Sequence, residues 1–206
     1  MGVAIQGAKF LWPARTIPYE IDAGFPDSSA VKKAIQHWNS KTSIRFVPRA
    51  KQLDYIRINY VPGGASSDIG RRGGMQIVSI GKDCPMGSVA HELGHAVGLW
   101  HEHCRSDRDK FVTIDDGNIK DECLDNFKQN SIDGVATPTV DLGPYDYGSL
   151  MHYSGPCESF AIDKRDPVIV ALKLPDGVKM GQRDGLSAGD IAAVEQLYNG
   201  IAKPKG

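Results

Sequence analysis

The 206-residue chain has no apolar run approaching the ~18 residues needed to span a bilayer, because Gly, Pro or charge interrupts every candidate within a few positions. It has no excess of charge either. Lys and Arg total 24 against 25 Asp and Glu, and a net charge of -1 supplies no general field for nucleic acid or an anionic membrane. We therefore expect neither partner. Cysteine is scarce, and none of Cys84, Cys104, Cys123 and Cys157 forms a C-x-x-C pair, which argues against a zinc ribbon or a thioredoxin-type centre. The glycines at 70, 73 and 74 are not followed by Gly-Lys-Ser/Thr, so a phosphate cradle is disfavoured. Internal repeats and low-complexity tracts are missing, and MGVAIQGAKFLWPART has neither the basic n-region nor the apolar h-region of a secretory signal.

What is present is a globular composition, with 41% hydrophobic residues in a length that suits one ordinary domain or two small lobes. The first half alternates strand and helix signals. Residues 19–22, 44–47, 55–60 and 75–80 read as strands, the third from the alternation of Ile56, Ile58 and Tyr60 with Tyr55, Arg57 and Asn59. Asp27 caps a helix whose Ala30, Val31, Ala34, Ile35 and Trp38 recur at helical spacing. Beyond residue 101 the pattern is polar and irregular until 187–198, where Ser187 and Asp190 form a capping box and Ile191, Val194 and Leu197 share a face.

Chemistry concentrates in HELGHAVGLWH, residues 91–101. At ~100° per residue, His91 and His95 point only ~40° apart on a helix, while Val89, Leu93, Ala96 and Val97 gather nearly opposite. Two imidazoles one turn apart can converge on one ion at ~2.0–2.1 Å each. Gly98 tolerates the left-handed conformation that ends a helix, so the chain can swing His101 back as a third ligand. Three imidazoles and no carboxylate suit Zn2+ and leave a position for water, the arrangement of a catalytic rather than a structural site. Glu92, directly after the first ligand, is placed to take a proton from that water.

HELGHAVGLWHE resembles the long zinc signature of the metzincin metallopeptidases, and Glu102 after His101 resembles the astacin family within that clan. HEHCRSDRDKFVTID, with Arg105, Asp107, Arg108 and Asp109, is similar to the astacin continuation, and YDYGSLMHY at 145–153 to its Met-turn. The likeness runs from VAIQGAKFLW to GLSAGDIAAVEQLY. It implies an α+β metzincin fold, a two-lobed zincin-like catalytic domain over 1–206, with a twisted mixed sheet, a zinc-site helix and lobes of about 1–101 and 102–206. It implies that Met151 floors the three imidazoles, that Tyr153 is a movable zinc ligand and oxyanion donor, and that Glu102 is buried near the mature amino terminus, close to Val3. MGQRDGLS, 180–187, is assigned to scaffolding and cleft shaping. By the same resemblance an edge strand of Gly74, Met75, Gln76, Ile77, Val78 and Ser79 accepts protein or peptide substrate in extended form, and an inhibitory propeptide has been removed from a secreted enzyme.

The cysteines depart from the family. Ser43 stands where the family usually has one, and GASSDIG lacks the partner expected for Cys84. An even count favours two disulfides and an oxidising compartment, with Cys104–Cys123 and Cys84–Cys157 as the working pairs among three possible connectivities. The expected function is that of a secreted zinc endopeptidase using Glu92 and Tyr153. The alternative is a catalytically silent zinc module that holds extended peptides.

Overall fold

Alternating β-branched residues and glycine-marked turns set the strands, and two apolar helix faces cover them. The computed structural model describes residues 2–129, 131–132, 135–136 and 138–201. In chain order the first half contains β1 (Gly2–Ile5), β2 (Thr16–Ile21), α1 (Ser29–Lys41), β3 (Arg45–Pro48), β4 (Tyr55–Val61), β5 (Ala65–Ser67), β6 (Met75–Gly81), α2 (Met86–Val97) and β7 (Leu99–Trp100). The second half has β8 (Val112–Ile114), a 3-10 helix over Asp121–Phe127, β9 (Ser131–Ile132), β10 (Val135–Ala136), β11 (Thr139–Leu142), β12 (Ile169–Ala171) and α3 (Ala188–Leu197). Among the described residues, no helix is long and apolar enough to cross a membrane.

The main sheet has the order β3-β2-β4-β6-β5, parallel except for β5, which runs antiparallel to β6. Its core joins Ile56 and Ile58 of β4 to Val31, Ala34, Ile35 and Trp38 of α1 and to Leu93, Ala96 and Val97 of α2. Two indoles fasten α2 in place. Trp38 Nε1 donates to Ala90 O at 2.9 Å, and Trp12 Nε1 to Ala96 O at 2.8 Å, so each ring is buried with its one donor satisfied. Asp27 Oδ1 accepts from Ser29 N at 2.8 Å, although the cap position of α1 is Ser28.

The strand expected to receive substrate is not the edge. Val78 and Ser79 are paired on one side with β4 and on the other with β5, which leaves them no free main-chain groups. Met75, Gln76 and Ile77 keep an open side, but they and Gly74 lie away from the cleft that holds the histidines. The edge on that cleft is β5, formed from the GASSDIG segment. Three polar and small residues between glycines carry too little periodicity to announce a strand.

The division at residue 101 is also not a clean cut. β1 pairs with β7 on one side and with β11 on the other, tying the first residues to the second half. In return α3 packs into the first core through Ala193 and Val194, and Tyr198 Oη donates to Val97 O at 2.8 Å. Ile191 is half-buried, whereas Asp190 and Tyr198 are buried, so the inner face of α3 is rotated from the expected Ile191-Val194-Leu197 line. The capping box forms as expected, with Ser187 Oγ accepting from Asp190 N at 2.9 Å and Asp190 Oδ2 from Ser187 N at 2.9 Å.

Helix α2 is pressed against the second half at Gly87. A Cβ there would lie 1.7 Å from the carbonyl oxygen of Arg183, a backbone atom that cannot step aside alone. Gly87→Ala is therefore expected to lose at least ~2 kcal/mol, a fall of roughly 4–8 °C in Tm for a chain of this size. Calorimetry showing an unchanged Tm would refute this close packing.

Candidate active site

Helix α2 carries the first two histidines and stops at Gly98, whose φ of 117° is the left-handed conformation that glycine adopts without strain. Its N–H bonds to Gly94 O and His95 O, closing the helix. The two residues of β7 then return the chain so that His101 faces α2. His91, His95 and His101 are all buried.

Backbone carbonyls fix two of the three tautomers. His91 Nδ1 donates to Leu150 O at 2.8 Å and His95 Nδ1 to Leu99 O at 3.0 Å, since a carbonyl can only accept. The Nε2 lone pairs therefore point inward. His101 Nε2 lies 3.3 Å from His91 Nε2 and 3.1 Å from His95 Nε2. Nitrogens bound at ~2.05 Å to one tetrahedral ion sit about 3.3 Å apart, so the spacing fits zinc. Without a cation the inward lone pairs would repel. Neutral imidazole is also the form these rings favour, because burial pushes all three pKa values down.

The Met-turn lies beneath. Met151 is buried with its sulfur against Gly94, where a Cβ would approach Sδ to 2.7 Å, so Gly94 makes room for the thioether. Asp190 holds this turn from the start of α3: Oδ1 accepts from Ser149 Oγ at 2.6 Å and Oδ2 from Leu150 N at 2.8 Å. Leu150 O in turn orients His91. One capping residue is thus linked through a single residue, Leu150, to a metal-facing ring.

Glu92 is buried beside the histidines, and burial raises its carboxyl to about 7, partly opposed by the Arg183 guanidinium. Arg183 escaped the sequence reading as a site residue. It lines the cleft, and Nη1 donates to Leu150 O at 3.1 Å, His152 O at 3.3 Å and Gln182 O at 2.8 Å. An Arg next to Gly-Gln gave no signal beyond the family likeness. Tyr153 is half-buried, its ring centroid 4.3 Å from that of His101 and stacked on Phe160 at 5.3 Å. Burial pushes its phenol well up, so it stays protonated and able to donate.

Glu102 is fully buried. Its Oε1 accepts from Asp146 N at 2.9 Å, its backbone N donates to Met151 O at 3.1 Å, and Arg105 Nη1 lies 3.8 Å away. Burial pushes its carboxyl well above the usual range, against the pull of Arg105. Arg105 Nη1 also donates to Gly2 O at 3.1 Å, which brings β1 to this carboxylate. The expected pairing with the amino-terminal ammonium falls on Met1, outside the described residues.

The expected disulfides are not formed. Cys84, Cys104, Cys123 and Cys157 are all free thiols. Cys104 Sγ donates to Asn126 O and Cys157 Sγ to Ser154 O, so each buried thiol is satisfied by a nearby carbonyl rather than by a second sulfur. Cys84 and Cys157 both line the cleft, from different segments. That cleft, about 680 Å³, runs from Gly64–Ser67 on the β5 rim across Glu92 and the histidines to Tyr153 and Arg183.

His152, behind the Met-turn, offers a pH test. Its Nε2 accepts from Tyr145 Oη at 2.7 Å and its Nδ1 donates to Tyr153 O at 2.7 Å, a neutral ring with both nitrogens satisfied. Burial lowers its pKa to about 4, against ~6.5 when unfolded. The unfolded state then takes up the proton first on acidification. Its contribution is full above pH ~6.5 and is lost as pH falls toward 4, at up to ~1.4 kcal/mol per pH unit. In metal-free protein His152→Phe should flatten the urea-measured stability profile between pH 6.5 and 4.5. Parallel profiles for variant and parent would contradict a buried neutral ring.

Comparison with known proteins agrees with this geometry. The family model described as Astacin, a peptidase family, matches residues 4–199. The chain is 39% identical over 196 residues to Nematocyst expressed protein 6 of Nematostella vectensis, covering 92% of this chain and 66% of that protein. It is 40% identical over 202 residues to Tolloid-like protein 1 of Homo sapiens, covering 95% of this chain and 19% of the relative. The chain thus spans less than two thirds of the length of either relative. Among solved structures, High choriolytic enzyme 1, a hatching enzyme zinc-protease from Oryzias latipes, superposes with a TM-score of 0.81 at 34% identity, covering 95% of this chain and 98% of that one. A zinc-protease fold with these histidines in place, matched over 4–199, identifies the chain as a member of the astacin family of peptidases, with the α+β metzincin fold.

Proposed function

We propose that this protein is a zinc-dependent endopeptidase that cleaves extended polypeptide. The observation that carries this reading is the convergence of His91 and His95 Nε2 on His101 Nε2, at 3.3 and 3.1 Å, beside Glu92, at the floor of a cleft rimmed by a strand with one open edge. His91, His95 and His101 would hold the ion. Zinc bound there supplies Lewis acidity, lowering the pKa of a water and polarising the scissile carbonyl. Glu92 accepts the proton of the attacking water and returns it to the leaving amine. Burial raises its carboxyl to about 7, which makes it a stronger base than an exposed carboxylate. Tyr153 donates its phenolic hydrogen to the oxyanion that forms on the attacked carbonyl, and is also the expected movable ligand. The substrate joins the open side of β5, residues Ala65–Ser67, as an added strand, so that main-chain hydrogen bonds hold it largely irrespective of sequence. Arg183 fixes the Leu150 and His152 carbonyls below the cleft and leaves a positive wall near the scissile bond.

The family likeness further supports an exported protein whose inhibitory propeptide has been removed. The competing reading is a silent zinc module that binds peptides without cutting them. Its weak point is the buried carboxylate: a binding site has no use for a base beside the ion.

Glu92→Gln separates the two. The variant should retain one zinc per chain and lose at least the ~10² to 10⁴ in kcat/KM on an unfolded protein substrate that is typical of general acid-base catalysis. A zinc-loaded parent that cleaves nothing would favour the silent module, and a zinc-loaded variant with parental turnover would remove Glu92 from the mechanism.

A further inference from the structure

Behind the third histidine lies a buried polar cluster that the reaction does not use. Among the described residues, His101 Nδ1 and His103 Nδ1 are buried without a hydrogen-bond partner. The other two metal-facing rings each have a carbonyl at Nδ1, and His101 has none. Metal-ligating histidines normally give their second N–H to such a partner, which fixes the ring and raises its basicity.

The tautomers of the two orphans are complementary. His101 must keep its Nε2 lone pair toward the ion, so its hydrogen sits on Nδ1. His103 Nε2 lies 3.1 Å from Asn126 O, which can only accept, so its hydrogen sits on Nε2 and Nδ1 keeps a lone pair. One ring needs an acceptor and the other needs a donor. Their centroids are 5.6 Å apart with the planes only 16° from parallel, and a ring nitrogen of each lies within 4.8 Å of the other and of Cys104 Sγ. Cys104 is already engaged with Asn126 O. His103 is held firmly, fully buried with its ring 4.3 Å from that of Tyr153 and 5.3 Å from that of Phe127.

We propose that His103 is a positioning residue for the metal centre: its Nδ1 accepts the Nδ1 hydrogen of His101 through one bridging water, and Asn126 O anchors it from the far side. The proposal rests on the zinc reading above. It makes the 3-10 helix of Asp121–Phe127 part of the support of the third ligand, through the Asn126 carbonyl. A second ion among His101, His103 and Cys104 is the competing explanation, and it would require His101 to ligate through both nitrogens.

The test measures zinc affinity by competition with a chromophoric chelator, alongside the Tm of the zinc-free protein. His103→Phe should weaken zinc binding by about 10- to 100-fold. His103→Asn, which returns an oxygen near the place of Nδ1, should recover most of that loss, and all zinc-free forms should melt within a few degrees of one another. Zinc affinity unchanged in His103→Phe would overturn the proposal, as would a loss explained by a matching fall in zinc-free stability, or a parent that binds two zinc ions tightly. A parent that binds no zinc would fail earlier, on the function itself. Should the variants not fold, ¹⁵N NMR of the zinc-loaded parent decides: His103 is expected as the Nε2–H tautomer with a hydrogen-bonded Nδ1, and an Nδ1–H tautomer would be fatal to the idea.

Discussion

The structure depends on holding three imidazole lone pairs against one another. Nitrogens facing at 3.1–3.3 Å in a buried setting are unfavourable unless a cation lies between them, so the protein must impose the arrangement through groups that do not face the ion. Leu150 O and Leu99 O do so for His91 and His95 by fixing which nitrogen carries hydrogen. The first carbonyl belongs to the Met-turn and the second to the strand after α2. Each ring is therefore only as well placed as the backbone segment behind it.

That dependence explains why parts of the chain distant in sequence are rigidly joined here. Asp190, at the start of α3, accepts from Ser149 and Leu150 while closing its own helix cap through Ser187. A carboxylate this deeply buried is costly alone, and three donors offset the desolvation. Gly87 and Gly94 let α2 approach Arg183 and Met151 more closely than any side chain would permit. Glu102 ties the residue after the third histidine to the backbone of Asp146. These contacts brace the cleft floor, while its rim at β5 stays open on one side.

Arg183 and Glu92 illustrate how burial shapes the chemistry. Desolvation raises the carboxyl and lowers the guanidinium, and their opposite charges partly cancel both effects. The outcome is a buried carboxyl raised to about 7 and a cation fixed by three carbonyls rather than free in solvent. Tyr153 follows the same logic, since a phenol denied water remains a donor.

The sequence by itself determined the local features: the α2 face that gathers His91 and His95, the glycine stop that turns the chain to His101, the capping box of α3 and the alternating strand β4. Each is set by spacing or backbone preference within a dozen residues, and such signals survive without knowledge of the fold. Tertiary structure decided the rest. The free edge passed from 74–79 to the three residues of β5 because strand order in a sheet depends on partners far along the chain. The four thiols stayed unpaired because their neighbours, not their number, set their geometry. Arg183 became part of the site only because folding carried it to the cleft floor, and His103, although next but one to His101, gains its role only because the Asn126 carbonyl from a separate segment fixes its tautomer, which no local pattern encodes.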